Sequence, residues 1–128
     1  MIKTVSIIIE NEKDEILLQL RDDKPSIPFP NTWVLPGGKI ENEEYPEQAI
    51  KREMKEEIEL EIDDVKLIKV YEYLDSKDYV YYIRMNLDLQ KTVLHEGQKI
   101  DFFSKEEMNK LEFGYHDRTT VMDFIETH

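Results

Sequence analysis

Eleven carboxylates crowd into residues 41–64, against three bases, so this stretch carries eight of the chain's twelve net negative charges. From about Pro46 to Glu59 the sequence reads as a helix. Pro46 suits the first turn, and Ala, Gln, Lys, Arg, Met and Glu follow. At ~100° per residue, Glu53, Glu56 and Glu57 fall within one sector, while Ile50, Met54 and Ile58 form an apolar stripe about 100° away. One face packs and its neighbour presents three carboxylates. Like charges at these spacings destabilise a helix by a few tenths of a kcal/mol per pair, roughly, and Lys51, Arg52 and Lys55 offset part of this. The plainer use of such a cluster is a solvated face. The more specific one is to bind Mg²⁺ or Mn²⁺, which prefer hard oxygen ligands. Gly37-Gly38 lies directly upstream, where backbone without side chains can approach a phosphate or a metal.

The elements that must position these groups follow from pattern. The chain has 128 residues, enough for one domain spanning 1–128 with a core that needs no staple. Residues 4–9 and 15–20 read as two strands of a hairpin around the Asn11–Asp14 turn. Residues 22–32 hold three of the five prolines and read as an irregular loop. Trp33-Val34-Leu35 is a short apolar stretch. Residues 65–74 and 79–89 read as a second hairpin about Asp75–Asp78, supported by Tyr71, Tyr73, Tyr79, Tyr81 and Tyr82. Residues 99–103 form another strand, Ser104 and Glu107 a capping box, and about 117–127 a last helix. The order predicts an α/β (α+β) fold: a mixed β-sheet flanked by helices.

Composition narrows the partners. A net charge of −12 argues against long nucleic acid and anionic membrane surfaces. Cysteine is absent, which excludes disulfides and thiolate metal sites. No apolar run approaches the ~20 residues of a membrane span. The expectation is a cytoplasmic protein, as a monomer or a homodimer.

The run Gly38-x5-Glu44-x7-Arg52-Glu53-Met54-x-Glu56-Glu57 closely resembles the Nudix box of the Nudix hydrolases, the MutT-type pyrophosphohydrolases. Their pattern is G-x5-E-x7-R-E-U-x-E-E-x-G-U, with U aliphatic. One position departs: Glu59 stands where the family has Gly, and Leu60 fits the final U. The lead-in from Trp33 to Glu41 is also family-like. A residue just past a helix end often turns left-handed, which favours Gly. Glu59 must therefore accept that strain, or the helix must run on.

The resemblance implies a Nudix-type fold and metal-dependent hydrolysis of a nucleoside diphosphate linked to a further group. A MutT-like reaction, nucleoside triphosphate to monophosphate and pyrophosphate, leads. Nucleotide sugars, ADP-ribose, dinucleoside polyphosphates and a non-catalytic nucleotide-binding module are the alternatives. By the same resemblance, Glu53, Glu56, Glu57 and the Gly37 carbonyl would hold Mg²⁺ or Mn²⁺. Glu53 or Glu56 would serve as general base, with Glu96 a further base or ligand. Arg52 and Glu44 would pair to hold the loop after Gly38 against the helix. Arg21 and Lys39 would meet substrate phosphate, though Arg21 could instead pair with Asp22 or Asp23. Asp117 would read the base, and it also suits the N-cap of the last helix. His95 reads as a loop residue.

Overall fold

The structure, a computed structural model, describes residues 1–128. Its spine is β1 (Ile2–Glu10), which pairs in parallel along its whole length with β6 (Ser76–Arg84). The central sheet order is β3-β2-β1-β6-β5, with β2 at Ile16–Leu20, β3 at Trp33–Val34 and β5 at Lys66–Glu72. Two further strands, β4 (Gly37–Lys39) and β7 (Lys99–Phe103), pair with β1 and β2. Helix α1 (Pro46–Ile58) covers one face; α2 (Lys105–Met108) and α3 (Asp117–Thr127) cover the other.

This layering explains the apolar run Ile7–Ile9 of β1. Val5, Ile7 and Ile9 pack with Ala49, Ile50, Met54 and Ile58 of α1. Ile8 points the other way, into a cluster with Met108, Val121 and Phe124. Strand side chains alternate faces, and a sheet covered on both sides needs apolar residues at every position. The stripe Ile50, Met54, Ile58 is the buried face of α1, as its spacing predicts.

Several expectations need correction. Residues 4–9 and 15–20 share the register pair Glu10↔Ile16 and then diverge, rather than zipping into a full hairpin. Beyond the fork, Thr4–Ser6 pair with β4, and the cleft opens between the two arms, lined by Thr4–Ser6 on one and Gln19 on the other. The second hairpin turns earlier than expected, because β6 begins at Ser76. Asp78 therefore lies in a strand, where Thr4 and Ser6 hydroxyls satisfy it. The strand expected to reach residue 89 ends at Arg84; Met85 still donates its N–H to the Glu10 carbonyl at 3.0 Å, and Met85, Leu87 and Leu89 pack on the α1 cluster. Helix α1 ends at Ile58, and Glu59 takes the left-handed geometry itself, with φ 53° and ψ 35°. The capping box at Ser104 and Glu107 is present.

Candidate active site

Helix α1 delivers its carboxylates to the floor of a cleft of about 730 Å³. Glu53 and Glu57 lie four residues apart on one face of the helix. The loop before β7 brings Glu96 to them, so that one carboxylate oxygen from each of the three lies within 4.8 Å of the others. Glu57 is 5% exposed, and its Oε2 is buried with no hydrogen-bond partner. Burial, then the charges of Glu53 and Glu96, push its pKa up to about 9. Burial also raises Glu53, against the pull of Arg52. An orphaned buried carboxylate oxygen facing two more carboxylates is costly alone, and a divalent cation resolves it. The all-oxygen donor set fits Mg²⁺ or Mn²⁺.

Arg52 holds this arrangement. Its Nε and Nη2 donate to both oxygens of Glu44, at 2.7 and 3.0 Å. Nη1 donates to Glu53 at 3.0 Å and to Glu56 at 3.2 Å, and Nη2 also reaches the Lys39 carbonyl at 3.0 Å. One guanidinium thus ties the loop after Gly38 to the helix and to a carboxylate of the cluster. These are multidentate, partly buried contacts, stronger than an exposed pair. Gly38 is explained by the same packing: a Cβ there would overlap the Glu53 carboxylate. At Gly37 a Cβ would overlap the Val5 carbonyl.

Glu56 is not brought into the cluster. It sits ~60° from Glu53 around the helix, on the side away from Glu57, where it is exposed and bonded to Arg52. Arg21 makes no ion pair with Asp22 or Asp23. Its Nε donates to the Pro28 carbonyl at 2.9 Å, and its guanidinium lies 5.2 Å from the centre of the Tyr115 ring. Lys39 is exposed at the cleft edge. Asp117 does not cap α3, since His116 occupies that position. Its carboxylate turns inward and accepts the Leu35 backbone N–H at 2.8 Å. Burial pushes its pKa up to about 7.

The other end of the cleft holds residues that no motif signalled. Phe29 and Tyr115 pack ring to ring at 4.6 Å, both with left-handed backbones at φ 49° and 52°. Such strain in non-glycine residues persists where the surroundings fix it, often at ligand sites. Tyr73 stacks on His116 at 3.8 Å, and its hydroxyl is buried without a partner. Asp78 accepts from Thr4 at 2.7 Å and Ser6 at 3.0 Å, and burial raises its pKa. Back at the acidic end, Gln19, the one polar residue in the run Ile16–Leu20, donates to the Glu96 carbonyl at 2.6 Å. A lone amide in an apolar strand was the available signal for Gln19. The proline-rich loop was the signal for Phe29.

Two carboxylates on one helix and a third from the loop before β7, a glycine strand against them and an aromatic cleft beside them form an arrangement suited to binding a metal and a phosphate-bearing ligand. The NUDIX domain model matches residues 2–124, and the chain belongs to that family. Its members are pyrophosphohydrolases, and that is the reaction class of this chain. The chain is 32% identical to nucleoside triphosphatase NudI of Enterobacter sp. (strain 638), over 88% of this chain and 89% of NudI. It is 31% identical to diphosphoinositol polyphosphate phosphohydrolase 2 of Rattus norvegicus, over 78% of this chain and 55% of that protein. A solved MutT structure, from work on Aliivibrio salmonicida and Vibrio cholerae, superposes with a TM-score of 0.81 at 24% identity, covering 99% of this chain and 98% of that one. No helix is long and apolar enough to cross a membrane.

Proposed function

We propose that residues 1–128 form a single catalytic domain that hydrolyses a nucleoside triphosphate to the monophosphate and pyrophosphate. The observation that carries this reading is one cleft with two chemically distinct ends: carboxylates at one, stacked aromatic rings and part-free acceptors at the other. The 32% identity to a nucleoside triphosphatase over most of both chains supports it.

Glu53, Glu57 and Glu96 would hold Mg²⁺, or Mn²⁺, with the Gly37 carbonyl as a further donor. By its box position Glu56 would be a further donor, although Arg52 engages it here. Such an ion, when bound, neutralises phosphate charge and makes a bound water more acidic. Of the base candidates, Glu53 and Glu96 line the cleft and Glu56 does not, so Glu53 or Glu96 would accept the proton of an attacking water. Arg52 keeps Glu53 in place. Arg21 and Lys39 meet phosphate at the cleft edge. A base would stack on Phe29 and Tyr115 or on Tyr73 and His116. Asp117 and Asp78 would accept from its N–H groups, and the Tyr73 hydroxyl would find its missing partner. Carboxylate acceptors favour a base edge rich in donors over one rich in carbonyls. A cytoplasmic location goes with this reading, since nucleotide pools lie there.

A second reading, a diphosphate joined to something other than a nucleoside, is favoured by the identity to the diphosphoinositol enzyme. A Mg²⁺ turnover panel separates the two: canonical and oxidised nucleoside triphosphates, ADP-ribose, nucleotide sugars, dinucleoside polyphosphates and a diphosphoinositol polyphosphate. The expected result is the highest kcat/KM on a nucleoside triphosphate. Turnover confined to the other substrates would overturn the triphosphate reading.

A further inference from the structure

Glu59 occupies the box position where the family pattern has Gly, and it keeps the left-handed backbone that Gly would adopt without strain. The strained residue does something that Gly cannot. Its carboxylate lies at hydrogen-bond distance, 2.5 Å, from Nε2 of His95. His95 is the neighbour of Glu96, and its backbone N–H donates to the Glu57 carbonyl at 2.8 Å. The end of α1 therefore grips His95 twice, once through the carbonyl of a cluster residue and once through Glu59.

We infer that Glu59 and His95 are positioning residues for the metal site, their contact holding Glu96 against Glu53 and Glu57. The inference rests on the reading of Glu96 as a ligand. Residues 85–98 form no strand or helix, so Glu96 sits on a long connection that side-chain contacts must anchor. The β2 side is anchored by Gln19 on the Glu96 carbonyl and by the Gln98 backbone N–H on the Leu20 carbonyl at 2.8 Å. Gly97 makes this close approach possible: its φ is 85°, and a Cβ would come within 2.7 Å of the Leu20 carbonyl. The α1 side has the His95 backbone bond and the Glu59 side chain. Glu53 and Glu57 are placed by the helix itself, and Arg52 holds the Glu53 carboxylate. Glu96 is the cluster member whose position depends on a loop, and Glu59 supplies a tether beside it. Groups that orient a metal ligand affect affinity without touching the ion.

The test is a Mn²⁺ titration of the full chain, followed by the paramagnetic resonance of free Mn²⁺, with metal-free thermal midpoints measured in parallel. Glu59→Gly, the family residue, is expected to keep or raise the midpoint by relieving backbone strain, yet to weaken Mn²⁺ affinity by roughly tenfold. His95→Ala should weaken it to the same degree, and the double variant no further. Glu59→Gln, whose amide oxygen still accepts from His95, should retain most of the affinity. Glu96→Ala should weaken it at least as much as Glu59→Gly. Unchanged affinity in Glu59→Gly and His95→Ala, with Glu96→Ala weakened, would overturn the positioning role and leave Glu96 as a ligand. Unchanged affinity in Glu96→Ala would overturn the ligand reading, and the positioning role with it.

Discussion

The two ends of the cleft are built in opposite ways. At the acidic end, Glu53 and Glu57 come from one helix and Gly37 and Gly38 from the strand before it, cross-linked by Arg52. Glu96 alone arrives from elsewhere. At the aromatic end, Arg21, Phe29, Tyr73, Asp78, Tyr115 and Asp117 come from segments spread over nearly the whole chain. A helix fixes carboxylates by its own periodicity, so the acidic end can recur unchanged across relatives. Loops fix side chains only by local packing, so the aromatic end can change with the group it holds. On the proposed function, the reaction class would belong to one end of the cleft and the choice of substrate to the other.

Substitutions at each end should separate along that line. The largest effect is expected at Glu57. Glu57→Gln removes a ligand charge, and turnover should fall by about a hundredfold or more. It also removes a buried carboxylate with an unpartnered oxygen, so the metal-free thermal midpoint should rise. Parallel melting curves and rates check both. Gly38→Ala should come next. Its methyl would displace the Glu53 carboxylate, and kcat should drop roughly tenfold while KM stays near its original value. At the other end, Tyr115→Ala should raise KM by about tenfold at constant kcat, the reverse split, because stacking is lost while the carboxylates stay in place.

The smallest catalytic effect is expected at Asp117. Asp117→Asn adds a donor beside the base and should shift the ranking of nucleoside triphosphates a few-fold, roughly, with the metal requirement unchanged. It should also change stability with pH. Burial lifts Asp117 from 3.8 to about 7, with Asp78 raising it further and the Leu35 N–H and Arg21 opposing. The folded chain therefore holds an extra proton between those values, and its stability falls as pH rises through that window. The asparagine variant has no such proton, so its stability relative to wild type should climb between about pH 4 and 7 and then level off. Its ceiling is on the order of 4 kcal/mol. Denaturant midpoints across this range measure it.

The same contrast governs what could be read before any coordinates. The acidic helix and its packing stripe were legible because helical periodicity turns sequence spacing directly into a shared face. The aromatic end was not, because no local pattern brings Phe29 to Tyr115 or Tyr73 to His116. The sequence pattern places Asp78 in a turn, where aspartate is common. It sits in β6 instead, since two hydroxyls across the parallel pair with β1 make a carboxylate tolerable there. Asp117 suited an N-cap by type and place, but the buried Leu35 N–H claims its carboxylate, a contact 82 positions away. Glu56 shares a broad sector with Glu53 and Glu57, but its ~60° offset from Glu53 on the side away from Glu57 leaves it outside the cleft, where it meets Arg52. At Glu59, the pattern showed that something must give without showing which; the backbone gave, and the side chain reached His95.

The most direct test of the central claim is product analysis after incubation of a preferred nucleoside triphosphate with Mg²⁺, for wild type, for wild type with chelator, and for Glu53→Gln. The account predicts monophosphate and pyrophosphate in equal amounts from wild type, and nearly none with chelator or in Glu53→Gln. Undiminished hydrolysis in either of those two samples would contradict it.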